Sequence, residues 1–275
     1  MGNTGITIQP ISPILGAEIS GVNLAKPLDD ETFEAIHGAL MQHLAIFFRD
    51  QEITMEQHKD FGRLFGDLHV HPAAPAPAGH PEILVIHADE NSKRVAGHAW
   101  HSDVSCDAEP PMGSILYLKT VPSVGGDTMF ANMYAAYEAL SAGMQKYLSG
   151  LTAIHGSEHV YRGRYGQTEN LRDGDYPESE HPIVRSHPVT GRKCLFVNSS
   201  FTTRIKGVSR GESKAILEFL YDHVRTPEFH CRFNWQANSI AFWDNRCAQH
   251  HALWDYYPEV RHGYRVTIQG DRPYQ

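Results

Sequence analysis

Two hydrophobic periodicities alternate along the chain and predict a mixed, mainly β fold. Apolar residues three and four positions apart predict helices after Asp29, after Thr54, over 133–148 and after Ser209. Short apolar or alternating runs predict strands at 6–10, 45–48, 83–87, around His101, and at 114–118, 128–131, 183–187, 194–198, 239–243 and 264–268. Many short strands with a few helices outside them are typical of a double-stranded β-helix, the jelly-roll or cupin-like barrel, with flanking α-helices.

Two stretches carry neither periodicity. Residues 71–81 are rich in proline and alanine and predict a loop that could cover a site, while 156–181 are polar and predict a long, mobile insertion. The chain shows no internal repeat, low-complexity tract or linker. We therefore expect one domain over residues 1–275.

Composition excludes several classes of function. Hydrophobic residues make up 41% of the chain and charged residues 20%, which is sufficient for a sizeable core. The net charge is −8 with no basic block, so we expect no nucleic-acid partner. No apolar run has the length of a membrane span and no leader pattern is visible, so we expect a cytoplasmic protein without a membrane partner. The cysteines, Cys106, Cys194, Cys231 and Cys247, are scattered and predict reduced thiols.

A His-x-Asp pair is a candidate for metal binding, because residues i and i+2 of a strand face the same side. The pattern occurs at His58, His87 and His101, in a chain with 18 histidines. The first pair lies in a predicted helix, where the two residues face opposite ways, and is interpreted as a solvated surface pair. Spacing to later hydroxyl residues does not separate the other two, although the apolar flank of His101 favours it slightly. A third ligand would complete two histidines and one carboxylate on one face of an iron.

Four segments, in order, resemble one known family. Residues 97–104 resemble its WHTDVT-type segment, 125–128 its GGDT turn, 243–250 its WDNRxxQH segment, and 261–273 its closing strand and tail. The family is the taurine dioxygenase / 2,4-dichlorophenoxyacetate dioxygenase family of Fe(II)- and 2-oxoglutarate-dependent oxygenases. The likeness covers nearly the whole chain and implies the same jelly-roll fold.

The resemblance implies a ligand set for Fe(II). Carried over by position, the ligands and catalytic residues are His101, Asp103 and His250. On local grounds His251 competes with His250, since the two are adjacent and point to opposite faces. The family pattern selects His250.

The resemblance also implies how the organic molecules bind. Arg261 matches the arginine that binds the far carboxylate of 2-oxoglutarate, with Thr128 adding a hydroxyl donor. Arg265 lies two strand periods further on, can face the same interior, and matches the position that binds the substrate's anionic group. The remaining substrate-binding candidates are His71, Val104, Tyr161 and Phe201.

The implied reaction consumes O2 and 2-oxoglutarate, gives succinate and CO2, and hydroxylates a C–H bond of a small anionic substrate. The chain departs from taurine enzymes at Ala74 and Gly97, which replace a tyrosine and an asparagine, and at Tyr161, which replaces a phenylalanine. The loss of two polar or large groups favours a larger or less polar sulfonate, sulfate ester or carboxylate over taurine. The alternatives are a taurine dioxygenase proper, or a metal-dependent barrel hydrolase or isomerase that does not use 2-oxoglutarate. The family commonly forms dimers or tetramers, so we expect a homo-oligomer.

Overall fold

The computed structural model describes residues 5–71, 74, 76–162 and 176–275. The helices are α1 (Asp30–His43), α2 (Met55–Arg63), α3 (Met133–Glu138), α4 (Ala142–Leu148), α5 (Glu158–Tyr161) and α6 (Arg210–Val224). The strands are β1 (Thr7–Pro10), β2 (Ala17–Ser20), β3 (Ala45–Phe48), β4 (Ile83–Ala88), β5 (Gly113–Thr120), β6 (Thr128–Asn132), β7 (Thr152–Gly156), β8 (Glu178–Pro182), β9 (Val184–Ser186), β10 (Lys193–Leu195), β11 (Thr202–Ile205), β12 (His230–Phe233), β13 (Ser239–Asp244), β14 (Ala248–Ala252) and β15 (Arg261–Ile268).

The main sheet has seven strands in the order β1-β2-β3-β13-β5-β15-β4. All neighbours are antiparallel except β2 and β3, which run parallel. Both faces are covered, which explains why β3 is apolar at every position. Phe47 packs in one hydrophobic cluster, while Ile46 and Phe48 pack in another that includes Ile36 and Leu40 of α1.

A second sheet, β12-β6-β14, shares the first of those clusters with the main sheet. Phe130 of β6 contacts Phe47 and Trp243 across the gap, with ring centroids 5.5 and 5.6 Å apart. Smaller sheets, β11-β7-β8 and β10-β9, extend the assembly. The predicted mainly β jelly roll with flanking helices is confirmed, and the space between its two principal sheets contains the candidate site.

Three of the predicted helix starts are confirmed, because local caps fix them. Asp29 accepts a hydrogen bond from the backbone N–H of Thr32 at α1. Thr54 and Ser209 each form a reciprocal capping box, with Gln57 and Glu212, at α2 and α6. No helix among the described residues has the length and apolarity needed to cross a membrane.

Two predicted segments differ from the structure. The helical stretch predicted over 133–148, with Ser141 as a cap inside it, is divided into α3 and α4; the predicted cap is confirmed, since Ser141 accepts from the Met144 N–H at the start of α4. The polar stretch 156–181 was predicted to be a mobile insertion throughout. Its ends instead form α5 and β8, and β8 pairs with β7; residues 163–175 lie outside the described part.

The interpretation of His58 and Asp60 as a solvated pair was wrong for the histidine. His58 is 1% exposed, and its Nε2 donates to the Ile115 carbonyl oxygen at 3.0 Å. Burial lowers the pKa of His58 to about 4, so the ring is neutral. The prediction that His58 and Asp60 face opposite sides of the helix is confirmed, since Asp60 is exposed to solvent. The error was to treat the whole helix face as exposed, although it packs against the main sheet.

Candidate active site

The three predicted metal ligands lie together between the sheets. His101, Asp103 and His250 are buried, and one ligand atom of each lies within 4.8 Å of the others. Asp103 Oδ1 is 3.6 Å from His101 Nε2 and 4.0 Å from His250 Nε2. Two metal–ligand bonds of about 2.1 Å each can span such separations. The group can hold a metal ion.

One pair of backbone hydrogen bonds places the two histidines side by side. The His101 N–H donates to the His250 carbonyl at 3.1 Å, and the His250 N–H donates back at 2.9 Å. This makes an isolated antiparallel bridge onto β14. Directly opposed residues in such a pair project to the same face, and the ring centroids are 4.0 Å apart.

Asp103 reaches the cluster through a turn and not through strand alternation. The strand predicted around His101 is reduced to that single bridge, and the chain turns over residues 103–106. Val104 has a positive φ of 46°, and the Asp107 N–H donates back to its carbonyl. The juxtaposition of His101 and Asp103 was predicted, but for the wrong structural reason.

The arrangement of the two histidines suits metal binding. His101 Nδ1 is 2.8 Å from the Ala99 carbonyl, which can only accept, so Nδ1 carries a proton and Nε2 is the ring nitrogen that faces Asp103. Burial above all, and then the neighbouring His101, hold the pKa of His250 well below its usual value. His250 Nδ1 is buried without a hydrogen-bond partner. Two imidazole nitrogens facing a carboxylate oxygen are a donor set for a divalent cation.

Asp103 is held from both carboxylate oxygens. Oδ2 accepts from the Ser114 hydroxyl at 2.7 Å, and Oδ1 accepts from Arg265 Nη1 at 2.6 Å. Burial alone would raise the pKa of Asp103, but Arg265 foremost, together with His250 and His101, outweighs it and holds the pKa well below the usual value. Each oxygen receives one hydrogen bond and retains a free lone pair for a metal.

Arg261 is a buried cation with no carboxylate within ion-pair distance among the described residues. Its Nε donates to the Gly126 carbonyl at 3.1 Å, and its Nη2 donates to the Thr128 hydroxyl at 3.4 Å. The neighbouring Asp127 is engaged elsewhere, by Arg232 at 2.5 Å. Burial lowers the pKa of Arg261 to about 10, which still leaves it charged at neutral pH. Such a cation calls for an anion from outside the chain.

Thr128 is suited to support that anion. Its hydroxyl oxygen accepts from Arg261 and from the Trp235 indole N–H, the latter at 3.0 Å. With its acceptor positions filled, its own proton is free to be donated. Arg265 lines the same cavity, as its even spacing from Arg261 on β15 predicts, and its Nε is buried without a partner.

The predicted substrate residues line this cavity. Val104, Tyr161 and Phe201 form a small apolar cluster on one side of it. His71 lies beside them, with its ring centroid 5.4 Å from that of Tyr161. The cavity is thus apolar on one wall and cationic on the other.

Two of the positions that depart from taurine enzymes, Gly97 and Ala74, differ in their relation to the cavity. Gly97 lines the cavity with a φ of +80°, and a Cβ there would lie 3.1 Å from His101 Cε1. Ala74 lines a neighbouring groove, and its backbone N–H donates to His71 Nδ1 at 2.9 Å. Ala74 therefore acts on the cavity only through His71, whereas Gly97 bears on it directly.

The rival histidines lie outside the cluster. His251, on the opposite face of β14, packs edge-on against Trp100 with ring centroids 5.5 Å apart. His87 Nε2 is 3.6 Å from Asp89 Oδ2 at the surface, and no third described residue completes a metal group there.

A second buried group, His187, Asp244 and Cys247, has its candidate ligand atoms equally close together. Asp244 pairs with Arg246 at 2.6 Å and with His187 Nε2 at 3.0 Å. Sequence reasoning had assigned this group no role, because His187 lies 57 positions before Asp244 along the chain.

Sequence reasoning also missed the residues that orient Asp103. Asn245 Oδ1 accepts from the Asp103 backbone N–H at 3.3 Å and from the Trp243 indole at 2.9 Å, while its amide donates to the Ser114 hydroxyl at 3.0 Å. Only the position of Asn245 two residues after a buried tryptophan, at the end of a strand, could have suggested a role.

Comparison with known proteins agrees with this geometry. The family model described as "Taurine catabolism dioxygenase TauD, TfdA family" matches residues 7–267. An alpha-ketoglutarate-dependent sulfate ester dioxygenase of Pseudomonas putida is 34% identical over 277 residues, covering 98% of this chain and 91% of that protein.

Solved structures show the same likeness. A taurine dioxygenase from Burkholderia xenovorans superposes with a TM-score of 0.84 at 38% identity, covering 98% of this chain and 91% of that chain. AAD-2, solved in complex with Mn(II) and N-oxalylglycine, superposes with a TM-score of 0.81 at 28% identity, covering 98% of each chain.

Proposed function

Because the chain belongs to the taurine catabolism dioxygenase TauD, TfdA family, we propose that it is an Fe(II)- and 2-oxoglutarate-dependent dioxygenase that hydroxylates a small organic anion. The observation that carries the proposal is Arg261, a buried guanidinium with no carboxylate partner among the described residues, in the wall of the cavity that contains His101, Asp103 and His250. A hydrolase or isomerase with the same metal ligands would have no use for that cation.

His101, Asp103 and His250 would hold Fe(II), which suits two imidazoles and one carboxylate and leaves positions open. When bound, the iron supplies activation of O2 for C–H cleavage, while 2-oxoglutarate is oxidised to succinate and CO2. The chain's own contribution is orientation. Ser114 fixes one oxygen of Asp103, and the Ala99 carbonyl fixes the tautomer of His101.

Arg261 would bind the far carboxylate of 2-oxoglutarate through its planar guanidinium, with the Thr128 proton as an additional donor. Inside the protein little water screens the two charges, so their attraction is strong and offsets the cost of removing their water. The arrangement explains why Arg261 and Thr128 are already in contact.

The primary substrate would lie between Arg265 and the apolar wall. The unpartnered Nε of Arg265 can donate to an anionic headgroup. Val104, Tyr161 and Phe201 offer packing for a hydrocarbon chain or ring, and none of them has a carboxylate that could pair with an ammonium group. The favoured substrates are therefore alkyl sulfonates, sulfate esters and carboxylates larger than taurine.

The test measures succinate produced by purified protein loaded with Fe(II), with 2-oxoglutarate and a panel of these anions. We expect succinate to form in step with product and only when both iron and 2-oxoglutarate are present. Faster sulfite release from taurine than from larger sulfonates would contradict the substrate proposal. Product without succinate would contradict the reaction class and favour the hydrolase or isomerase.

A single domain over 1–275, a cytoplasmic location and a homo-oligomer, dimer or tetramer, remain predictions. Light scattering coupled to size-exclusion chromatography of the full chain tests the oligomeric state directly.

A further inference from the structure

Arg261 contributes to the walls of two cavities. One is the central cavity with the metal-binding group. The other, called here the side cavity, has a volume of about 470 Å³, many times the roughly 30 Å³ that a water molecule occupies in the liquid. The side cavity is lined by Val85, Ile86, His87, Ala88, Lys93, Arg94, Val95, Ala96, Ala252, Tyr256 and Arg261.

The partition between the two cavities is thin. Besides Arg261, the residues that line both are Ile86, Ala96 and Ala252. Two of these three have only a methyl side chain. Ala96 is exposed to solvent, which shows that the shared wall reaches the surface. A ligand anchored on Arg261 therefore lies next to the side cavity as well as next to the metal-binding group.

The outer part of the side cavity is cationic. Lys93 and Arg94 are exposed, and neither is ion-paired with a carboxylate in the described part of the chain. The nearby Asp89 is engaged by Asn91 and Ser92 within its own turn. The chain as a whole carries a net charge of −8, which repels a dianion at long range. Two free cations at one opening would counter that repulsion locally.

The opposite side of the central cavity has different chemistry. There His71, Val104, Tyr161 and Phe201 line the wall, and three of these four form the apolar cluster described above. An apolar substrate chain suits this side, whereas a small hydrophilic dianion gains nothing from it.

We propose that the side cavity is the route by which 2-oxoglutarate reaches Arg261, and that Lys93 and Arg94 steer it there. The inference rests on the proposed function, since it concerns the co-substrate of that reaction. It assigns Lys93 and Arg94 the part of steering residues, which act on the rate of association and do not touch the reacting atoms. It also separates the path of the co-substrate from the apolar side used by the primary substrate.

The test is a rate measurement that requires no turnover. 2-Oxoglutarate is mixed with the Fe(II)-loaded protein in the absence of O2, and binding is followed by tryptophan fluorescence. Trp235 is a suitable reporter, because its ring centroid is 5.6 Å from the Arg261 guanidinium carbon. Steering by local charge changes association rates by tenfold or more and is lost at high salt.

The test variant is K93E/R94E, and its matched control is K146E/K193E. Lys146 and Lys193 are also exposed and line neither cavity, and the two double variants have the same net charge. At low ionic strength we expect K93E/R94E to lower the association rate constant about tenfold, with the dissociation rate constant nearly unchanged. The control should stay within about twofold of wild type, and high salt should remove the difference.

A chemical rescue separates charge from folding. All four native cysteines are buried, so in Arg94→Cys a methanethiosulfonate reagent has one exposed thiol to modify. Attaching a quaternary ammonium group should restore most of the association rate, whereas attaching a sulfonate of similar size should lower it further. Both labelled proteins derive from the same folded variant.

The outcomes are distinguishable. Equal association rates for the two double variants, or equal effects of the two labels, would overturn the route through the side cavity and leave the proposed function intact. If wild type itself shows no saturable binding of 2-oxoglutarate, the proposed function is wrong, and the inference is wrong with it.

Discussion

Two buried clusters in this protein have nearly the same composition and opposite chemistry. The first is His101, Asp103 and His250, and the second is His187, Asp244 and Cys247. In the first, each oxygen of Asp103 accepts one hydrogen bond and keeps a lone pair. In the second, Asp244 accepts four, two on each oxygen, from His187 and from the side chain and backbone of Arg246.

The remaining ligands of the second cluster are also occupied. His187 Nδ1 accepts from the backbone N–H groups of Val189 and Thr190 at 3.2 and 3.1 Å. Burial raises the pKa of the Cys247 thiol well above its usual value, so no thiolate forms at neutral pH. Proximity of ligand atoms is therefore insufficient for a metal site. The free lone pairs, and a cavity beside them, distinguish the first cluster.

One short segment serves both clusters. Trp243 and Asn245 contact residues of the first, while Asp244 and Arg246 belong to the network of the second. Within β13 the period of two accounts for Trp243 and Asp244 facing opposite ways, whereas Asn245 and Arg246 lie in the turn that follows. The second cluster thus adjoins the strand end from which Asn245 positions Asp103.

The largest effect is expected from removing a ligand of the first cluster. His250→Gln should weaken Mn(II) or Fe(II) binding by about a thousandfold (about 4 kcal/mol), because two protein ligands remain. Calorimetric titration measures this. Unfolding by denaturant in the presence of a chelator should show little change in stability, because the His250 ring nitrogens make no hydrogen bond to a described residue that the substitution would remove.

His251→Gln is the matched control, since it changes the adjacent residue on the opposite face of β14. It should retain wild-type metal affinity. Comparable losses for the two variants would contradict the assignment of His250 as the ligand.

The second cluster should show the reverse pattern. Asp244→Asn leaves the buried charge of Arg246 without its partner, and breaking such a pair costs about 3–5 kcal/mol of unfolding free energy. Metal affinity of the folded fraction should remain near that of wild type. Urea unfolding of one preparation measures the loss of stability, and metal titration of the same preparation measures the affinity.

Asp222→Asn provides the reference, because Asp222 pairs with Arg225 at an exposed helix end. Its stability should match wild type within error. If Asp244→Asn were as mild, the second cluster would not be a stabilising network.

Sequence predicted best those features that are local or that come with a strong resemblance. Helix starts at Asp29, Thr54 and Ser209 depend on a cap and a residue three positions on, so they can be found without the fold. The even spacing of Arg261 and Arg265 likewise predicted a shared face.

Features made by distant segments could not be predicted in this way. His58 is buried because α2 packs against β5 and the rest of the main sheet, which no local pattern states. Asp103 and Asn245 meet across 142 positions. The strand expected around His101 is reduced to one bridge between His101 and His250, because the chain enters a turn at Asp103.

A smaller effect is expected at Ser114, which lies outside the ligand set but bonds to Asp103. Ser114→Ala removes one orienting hydrogen bond and should weaken metal binding about 10- to 100-fold. Ser102→Ala is the control, since that hydroxyl donates to the Ala248 carbonyl and makes no contact with the carboxylate. Equal effects of the two would show that any lost hydroxyl loosens the site.

The last prediction concerns the pH dependence of stability at a histidine that is buried outside both clusters. His58 is buried but belongs to neither cluster, and burial lowers its pKa to about 4. Between about pH 4 and pH 6.5 the unfolded chain binds this proton and the folded chain does not, so stability falls as pH falls through that window. His58→Gln keeps a donor for the Ile115 carbonyl but does not titrate. From pH 7.5 to pH 4.5, wild type should lose about 2.5 kcal/mol more unfolding free energy than the variant. Parallel curves would show that folding does not lower the pKa of His58.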